Sequence, residues 1–120
     1  MFDHVGVRTA RLEDSIRFYQ AVLGTLGHAL ASRDDSGAGL GPPGAPALWI
    51  SRTDAPARSS VHLAFVAPDR KAVDRFHAAG LEAGGKDNGA PGPRADYGPR
   101  YYAAFLLDPD GNNVEAVCLK

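Results

Sequence analysis

One cysteine, Cys118, is all the chain has, so no internal disulfide can form and no zinc-ribbon spacing exists. Charge of one sign is lacking too: 13 Lys and Arg stand against 14 Asp and Glu, for a formal net charge of −1. No large positive field is left to hold a nucleic-acid backbone. No apolar run approaches the roughly 20 residues that span a bilayer, so no membrane partner is expected. The opening stretch, Met1-Phe2-Asp3-His4-Val5-Gly6-Val7-Arg8, lacks the basic head and apolar core of a signal peptide, and a cytoplasmic location is expected. What is plentiful is glycine and proline, 14 and 9 of 120 residues, against roughly 12% together in an average chain. Substantial loops are therefore predicted between the regular elements of one domain, long enough at 44% hydrophobic residues to bury a core.

Two segments alternate as strands do and carry a histidine at the same phase. Asp3, Val5 and Val7 share one face, with His4, Gly6 and Arg8 on the other; Val61, Leu63 and Phe65 likewise oppose His62 and Ala64. Each is followed by a helical pattern. Leu12, Ile16, Tyr19, Leu23 and Leu26 recur at steps of four and three, and Gly24 or Gly27 ends the run. Asp69 opens the second helix, Ala72, Val73, Phe76, Ala79 and Ala83 form its inward stripe, and Gly84-Gly85 stops it. A shift of 58 residues superposes His4 on His62, Phe18 on Phe76 and Leu23 on Leu81, which reads as an internal duplication. Residues 28–33 and 47–51 are further strands of the first half, with a third hidden near Gly39. In the second half, residues 100–107 and 112–119 flank Asp108-Pro109-Asp110-Gly111, the chemistry of a tight turn. Residues 86–99, rich in proline and glycine, read as a long binding loop or lid.

In the last strand Asn113, Glu115 and Val117 share a face. If the apolar faces pack on the helices, His4, His62 and Glu115 converge on the opposite, concave side. A desolvated carboxylate there is costly unless paired. A divalent ion bound by two imidazoles and one carboxylate removes that cost and keeps positions open for a substrate. Taken singly, each residue also has an ordinary explanation, a hydrogen-bonded strand histidine or a solvated strand glutamate. The spacing alone leaves both open.

The paired modules, His4, Phe18-Tyr19 and the run Leu107-Asp108-Pro109-Asp110-Gly111-Asn112-Asn113-Val114-Glu115 resemble the vicinal oxygen chelate superfamily, which holds glyoxalase I, bleomycin-resistance proteins, fosfomycin-resistance thiol transferases and extradiol dioxygenases. The resemblance implies an α+β fold, two βαβββ modules forming a curled mixed sheet around a cleft with helices on the outside. Module 1 would cover about residues 1–55 and module 2 about 59–120 of a single domain. It implies a divalent metal (Fe, Mn, Ni or Zn) on His4, His62 and Glu115, a small-molecule substrate bound through adjacent oxygens, and a homodimer whose sites combine residues of both chains. The implied activity is that of a metal-dependent lyase, isomerase, transferase or dioxygenase. The alternative is sequestration of an antibiotic or metabolite without turnover, as in bleomycin-resistance proteins. Glyoxalase I has a further glutamate on the last strand of its first module, as ligand and base. Here Ala47-Leu48-Trp49-Ile50-Ser51-Arg52 offers no carboxylate, which argues against that particular activity.

Beside the long loop cluster Tyr97, Arg100, Tyr101 and Tyr102, the arginine suited to an anionic substrate and the tyrosines to a pocket wall, with Trp49 a further wall residue. Tyrosines on a strand are also ordinary half-buried fillers. Gly37-Ala38-Gly39-Leu40-Gly41 mimics a dinucleotide loop, but Pro42-Pro43 stands where its helix would begin. Cys118 faces away from Glu115, His77 lies beside the second helix's stripe toward solvent, and His28 opens a strand with no evident partner.

Overall fold

The computed structural model describes residues 1–55 and 61–120; the expected junction of the modules, at about residues 55 to 59, lies mostly outside them. Strand β1 (Val5–Thr9) leads into helix α1 (Leu12–Gly24), then β2 (Ala29–Asp34), β3 (Gly37–Gly41) and β4 (Leu48–Arg52). The pattern repeats as β5 (His62–Val66), α2 (Arg70–Glu82), β6 (Lys86–Pro93), β7 (Tyr102–Leu107) and β8 (Asn113–Cys118). The strand orders are β1-β4-β3-β2 and β5-β8-β7-β6, the same arrangement twice. In each, the first and last strands of the module run parallel and the rest antiparallel. The duplication therefore folds as two βαβββ modules in an α+β architecture. Their strands form two separate mixed sheets, with β1 and β5 each at an edge.

The helices form where the apolar spacing places them. Leu12, Ile16, Tyr19 and Leu23 of α1 are all at most 2% exposed. At its start Arg11 supplies no side-chain cap, but the buried Thr9 hydroxyl accepts from the Arg11 amide at 2.9 Å. In α2 the Asp69 carboxylate accepts from the Ala72 amide at 2.7 Å and satisfies a free donor of the first turn. The inward stripe of α2 runs through Ala72, Val73, Phe76 and Gly80, with Ala79 and Ala83 only half-buried. Gly80 enters the stripe because α1 and β7 approach so closely there: a Cβ would lie 2.2 Å from Leu106 Cδ1 and 3.0 Å from Val22 Cγ1. Both helices thus share one core that draws on both modules, and the other face of each sheet stays open. Leu81, superposed on Leu23 by the 58-residue shift, is 43% exposed, so the repeat holds for fold and not for every core position.

Strand β6 corrects an expectation. Residues 86–99 read as a loop, yet Lys86 to Pro93 pair with β7. This strand is an edge with register shifts between Asp87 and Gly89 and between Gly89 and Gly92, where proline needs no ladder donor and bulges absorb the irregular spacing. Only residues 94–101 remain as the connection. The Asp108–Gly111 turn forms as its chemistry demands, with Gly111 at φ +87° and its amide donating to the Asp108 carbonyl at 2.9 Å. Among the described residues no helix is long and apolar enough to cross a membrane.

Candidate functional site

Parallel pairing of β5 with β8 puts His62 beside Asn113 and Ala64 beside Glu115, so the histidine and the carboxylate emerge on the same open face. Antiparallel pairing with β7 sets Phe105 directly against Glu115. The Phe105 ring stacks on the His62 ring at 6.4 Å between centroids. Glu115 is 2% exposed, and a carboxylate so buried needs a partner for each oxygen. His62 Nε2 lies 3.0 Å from Oε2, and the Tyr101 hydroxyl donates to Oε1 in a short hydrogen bond. That bond, with burial adding to it, pushes the Tyr101 phenol up to about 12, so it stays a donor at neutral pH.

His62 meets an acceptor at both ring nitrogens: Nδ1 lies 3.1 Å from the Asn113 carbonyl oxygen and Nε2 3.0 Å from Glu115 Oε2. A neutral ring carries one N–H and answers only one of them. With that proton on Nδ1, Nε2 turns a lone pair toward Oε2, an arrangement that a cation between the two atoms satisfies. Metal–ligand bonds of about 2.0–2.1 Å at near-right angles put two donor atoms roughly 3 Å apart, so this pair fits a divalent cation, with the Asn113 carbonyl in the orienting role.

His4 does not join them. It precedes β1 in the other sheet, exposed, with Nδ1 2.7 Å from Asp3 Oδ1. Among the described residues no group of three or more His, Cys, Asp or Glu side chains is close enough to hold a metal ion. The expected convergence of all three within one chain is therefore not found, because β1 and β5 belong to different sheets. His4 and His62 do border the same cavity, of about 340 Å³, walled by Leu40, Leu48, Leu63 and Phe65. His28 lines it as well, with a buried Nδ1 that has no partner among the described residues.

A glyoxalase-like domain model matches residues 4–117. The chain belongs to the glyoxalase-like family. A crystal structure of a glyoxalase/bleomycin resistance protein from Albidiferax ferrireducens T118 is 34% identical, with a TM-score of 0.80 and 98% of each chain covered. A glyoxalase/bleomycin resistance protein/dioxygenase family enzyme from Burkholderia phytofirmans PsJN is 20% identical with a TM-score of 0.75, again over 98% of each chain. A glyoxalase/bleomycin resistance protein/dioxygenase from Alicyclobacillus acidocaldarius is 21% identical with a TM-score of 0.69, over 99% of this chain and 91% of that one. The last two likenesses speak for the fold alone. No curated protein matches. Family and fold together place the chain in the vicinal oxygen chelate superfamily.

Within this glyoxalase-like fold the remaining candidates separate. Tyr101 reaches Glu115, and Tyr97, 67% exposed, packs edge-on against Tyr101 at 5.2 Å between centroids. Tyr102 points to the other face of β7, where its hydroxyl donates to Asp74 of α2 at 2.7 Å and Arg70 covers its ring, so it does not line the Glu115 site. Arg100 is exposed on the connecting loop. Trp49 lies in the other sheet, its ring so close over Gly39 that a Cβ there would sit 2.6 Å from it. No carboxylate is present on β4, Leu48 to Arg52. Two groups carry little sequence signal: Phe105, one of several strand apolars, and Arg94, which falls in the proline- and glycine-rich stretch that reads as a loop.

Proposed function

We propose that the protein is a metal-dependent small-molecule enzyme of the glyoxalase/dioxygenase-like superfamily, with His62 and Glu115 of one chain and His4 as ligands of one divalent ion (Fe, Mn, Ni or Zn). The observation that carries this reading is the pairing of His62 Nε2 with the buried Glu115 Oε2 at 3.0 Å while Nδ1 is tied to a backbone carbonyl. Because His4 stands in the other sheet, its contribution comes from a second copy of the chain in a homodimer. A divalent ion there supplies Lewis acidity to two adjacent oxygens of a substrate. The chain's own residues do the positioning. Tyr101 holds Glu115 Oε1 by hydrogen bonding, the Asn113 carbonyl holds the His62 ring, and Phe105 stands beside that ring while the His62 side chain stays half-exposed, open to a ligand. Strict glyoxalase I chemistry is disfavoured by the missing carboxylate on β4.

Metal analysis of tag-free protein, dialysed against Mn, Fe, Ni or Zn, tests the proposal. About one equivalent per chain is expected, falling at least tenfold in Glu115→Ala and in His62→Ala. Less than a tenth of an equivalent in the wild type, unchanged by Glu115→Ala, would remove the basis of the reading. The second reading, sequestration of a small molecule, draws on the largely apolar walls of the 340 Å³ cavity. Ligand binding that persists in chelator and yields no product would favour it.

A further inference from the structure

Arg94 follows β6 directly and is half-buried. Its guanidinium lies over the Phe105 ring, with Cζ 5.4 Å from the centroid, on the face that carries Glu115 and His62. Phe105 is thus a neighbour common to both, with the guanidinium 5.4 Å and the His62 ring 6.4 Å from its centroid. The guanidinium is held there by backbone: Nη2 donates to the Ala90 carbonyl at 2.7 Å and Nη1 to the Gly92 carbonyl at 2.9 Å, with Pro93 at 3.4 Å. Gly89 makes room, since a Cβ there would lie 3.3 Å from Nη2 and 2.9 Å from Phe105. The main chain of Arg94 is pinned as well, its amide donating to the Tyr101 carbonyl at 2.8 Å. Among the described residues the side chain has no carboxylate within ion-pair distance, whereas Arg11 and Arg33 are each paired with one. The three carbonyl contacts leave part of its five N–H groups free, and a fixed, uncompensated guanidinium fork matches a carboxylate in two parallel hydrogen bonds.

We propose that Arg94 is the substrate-recognition residue of the sheet face that carries Glu115 and that the ligand is a small organic acid, its carboxylate on Arg94 and its reacting end at His62 and Glu115. This rests on the metal-site reading for the reacting end only. Arg100, the arginine that the sequence offers for an anion, is exposed on the loop, while Arg94 is fixed beside the site.

Two probes separate the terms: 4-carboxybenzohydroxamate, with two adjacent oxygens at one end and a carboxylate at the other, and its neutral 4-carbamoyl analogue. Their dissociation constants are measured by calorimetry on the full chain, with Mn²⁺ and with EDTA. The wild type is expected to prefer the charged probe about tenfold. Arg94→Gln should lose that preference by weakening the charged probe alone, Arg94→Lys should keep part of it, and Glu115→Gln should weaken both probes equally in Mn²⁺. Melting temperatures of the variants identify one that fails to fold, and Arg94→Lys then carries the comparison. An arginine that only staples the bulged edge strand would change melting and leave the charge preference intact. That result, or equal binding of both probes by the wild type, overturns the inference and leaves the metal site standing. Affinities for both probes that EDTA and Glu115→Gln leave unchanged, with a charge preference that still depends on Arg94, overturn the metal reading and keep Arg94. No binding of either probe in either buffer overturns both.

Discussion

Asp108 shows how much one side chain can organise. It is 5% exposed, and it accepts from the Tyr19 hydroxyl at 2.5 Å and from the Asn112 side chain, the Asn112 amide and the Asp110 amide at 2.9 Å each. The turn before β8, which aims Glu115, is thereby locked to the centre of α1. Burial, and next the Asp108 charge, push the Tyr19 phenol far up from its ordinary 10.0. An acid whose proton is held more tightly in the folded state gives stability that is complete below the unfolded pKa and is lost progressively as pH rises from there through the folded pKa. Stability should therefore fall as pH climbs above about 10, where unfolded tyrosine ionises and Tyr19 does not. Tyr19→Phe should flatten the slope while costing about 1.5–3 kcal/mol at pH 7 for the lost bond to a charged group. Urea melts of both proteins at pH 7, 9 and 10.5 give the comparison. An unchanged alkaline slope in Tyr19→Phe would assign the titration to other tyrosines, of which Tyr101 is raised in the same direction. The motif around Asp108 was legible because aspartate, proline and glycine announce a turn. The partnership with Tyr19, 89 positions away, is a tertiary fact that no local pattern carries.

At the scale of elements, helices and turns were the legible part and the last edge strand was not. Apolar spacing finds α1 and α2 because one face must be buried, and the Asp69 cap and Gly111 turn follow from backbone needs that few residues meet. Strand β6 was obscured because Gly89, Pro91, Gly92 and Pro93 disfavour a strand locally, and only the presence of β7 overrides them. The two helical glycines divide the same way. Gly24, at the end of α1, has nothing within 4 Å of a new Cβ and no left-handed φ, so Gly24→Ala should add about 0.5–1 kcal/mol through helix propensity. Gly80 has the same intrinsic preference, but its Cβ would collide with Leu106 at 2.2 Å, and overpacking of that kind costs about 1–3 kcal/mol. Opposite shifts in denaturation midpoint are expected for the two substitutions. Shifts of the same sign would mean that the α1–α2 contact yields more readily than its packing implies.

For the whole molecule, the sequence foretold that His62 and Glu115 would meet and left open where His4 would stand. His62 and Glu115 come together because pairing of β5 with β8 is a property of one module, fixed by the phase of two strands. His4 lies in the other module, and no periodicity within a chain says whether the two open faces meet each other or those of a second copy. The chain itself leaves the edges of β1 and β5 unpaired by any described strand, and Val66 on β5 is 79% exposed. Such an edge is ready to be covered by another chain. If the proposed dimer completes the site, His4 of one chain must serve His62 and Glu115 of the other, which a mixing experiment resolves. His4→Ala and Glu115→Ala should each bind little metal alone. Unfolded together in equal amounts and refolded, half of their dimers are mixed, and each mixed dimer holds one intact site, so about a quarter of the wild-type metal content should return. Sites built within single chains would give no recovery at all, because every chain in the mixture still carries a broken set.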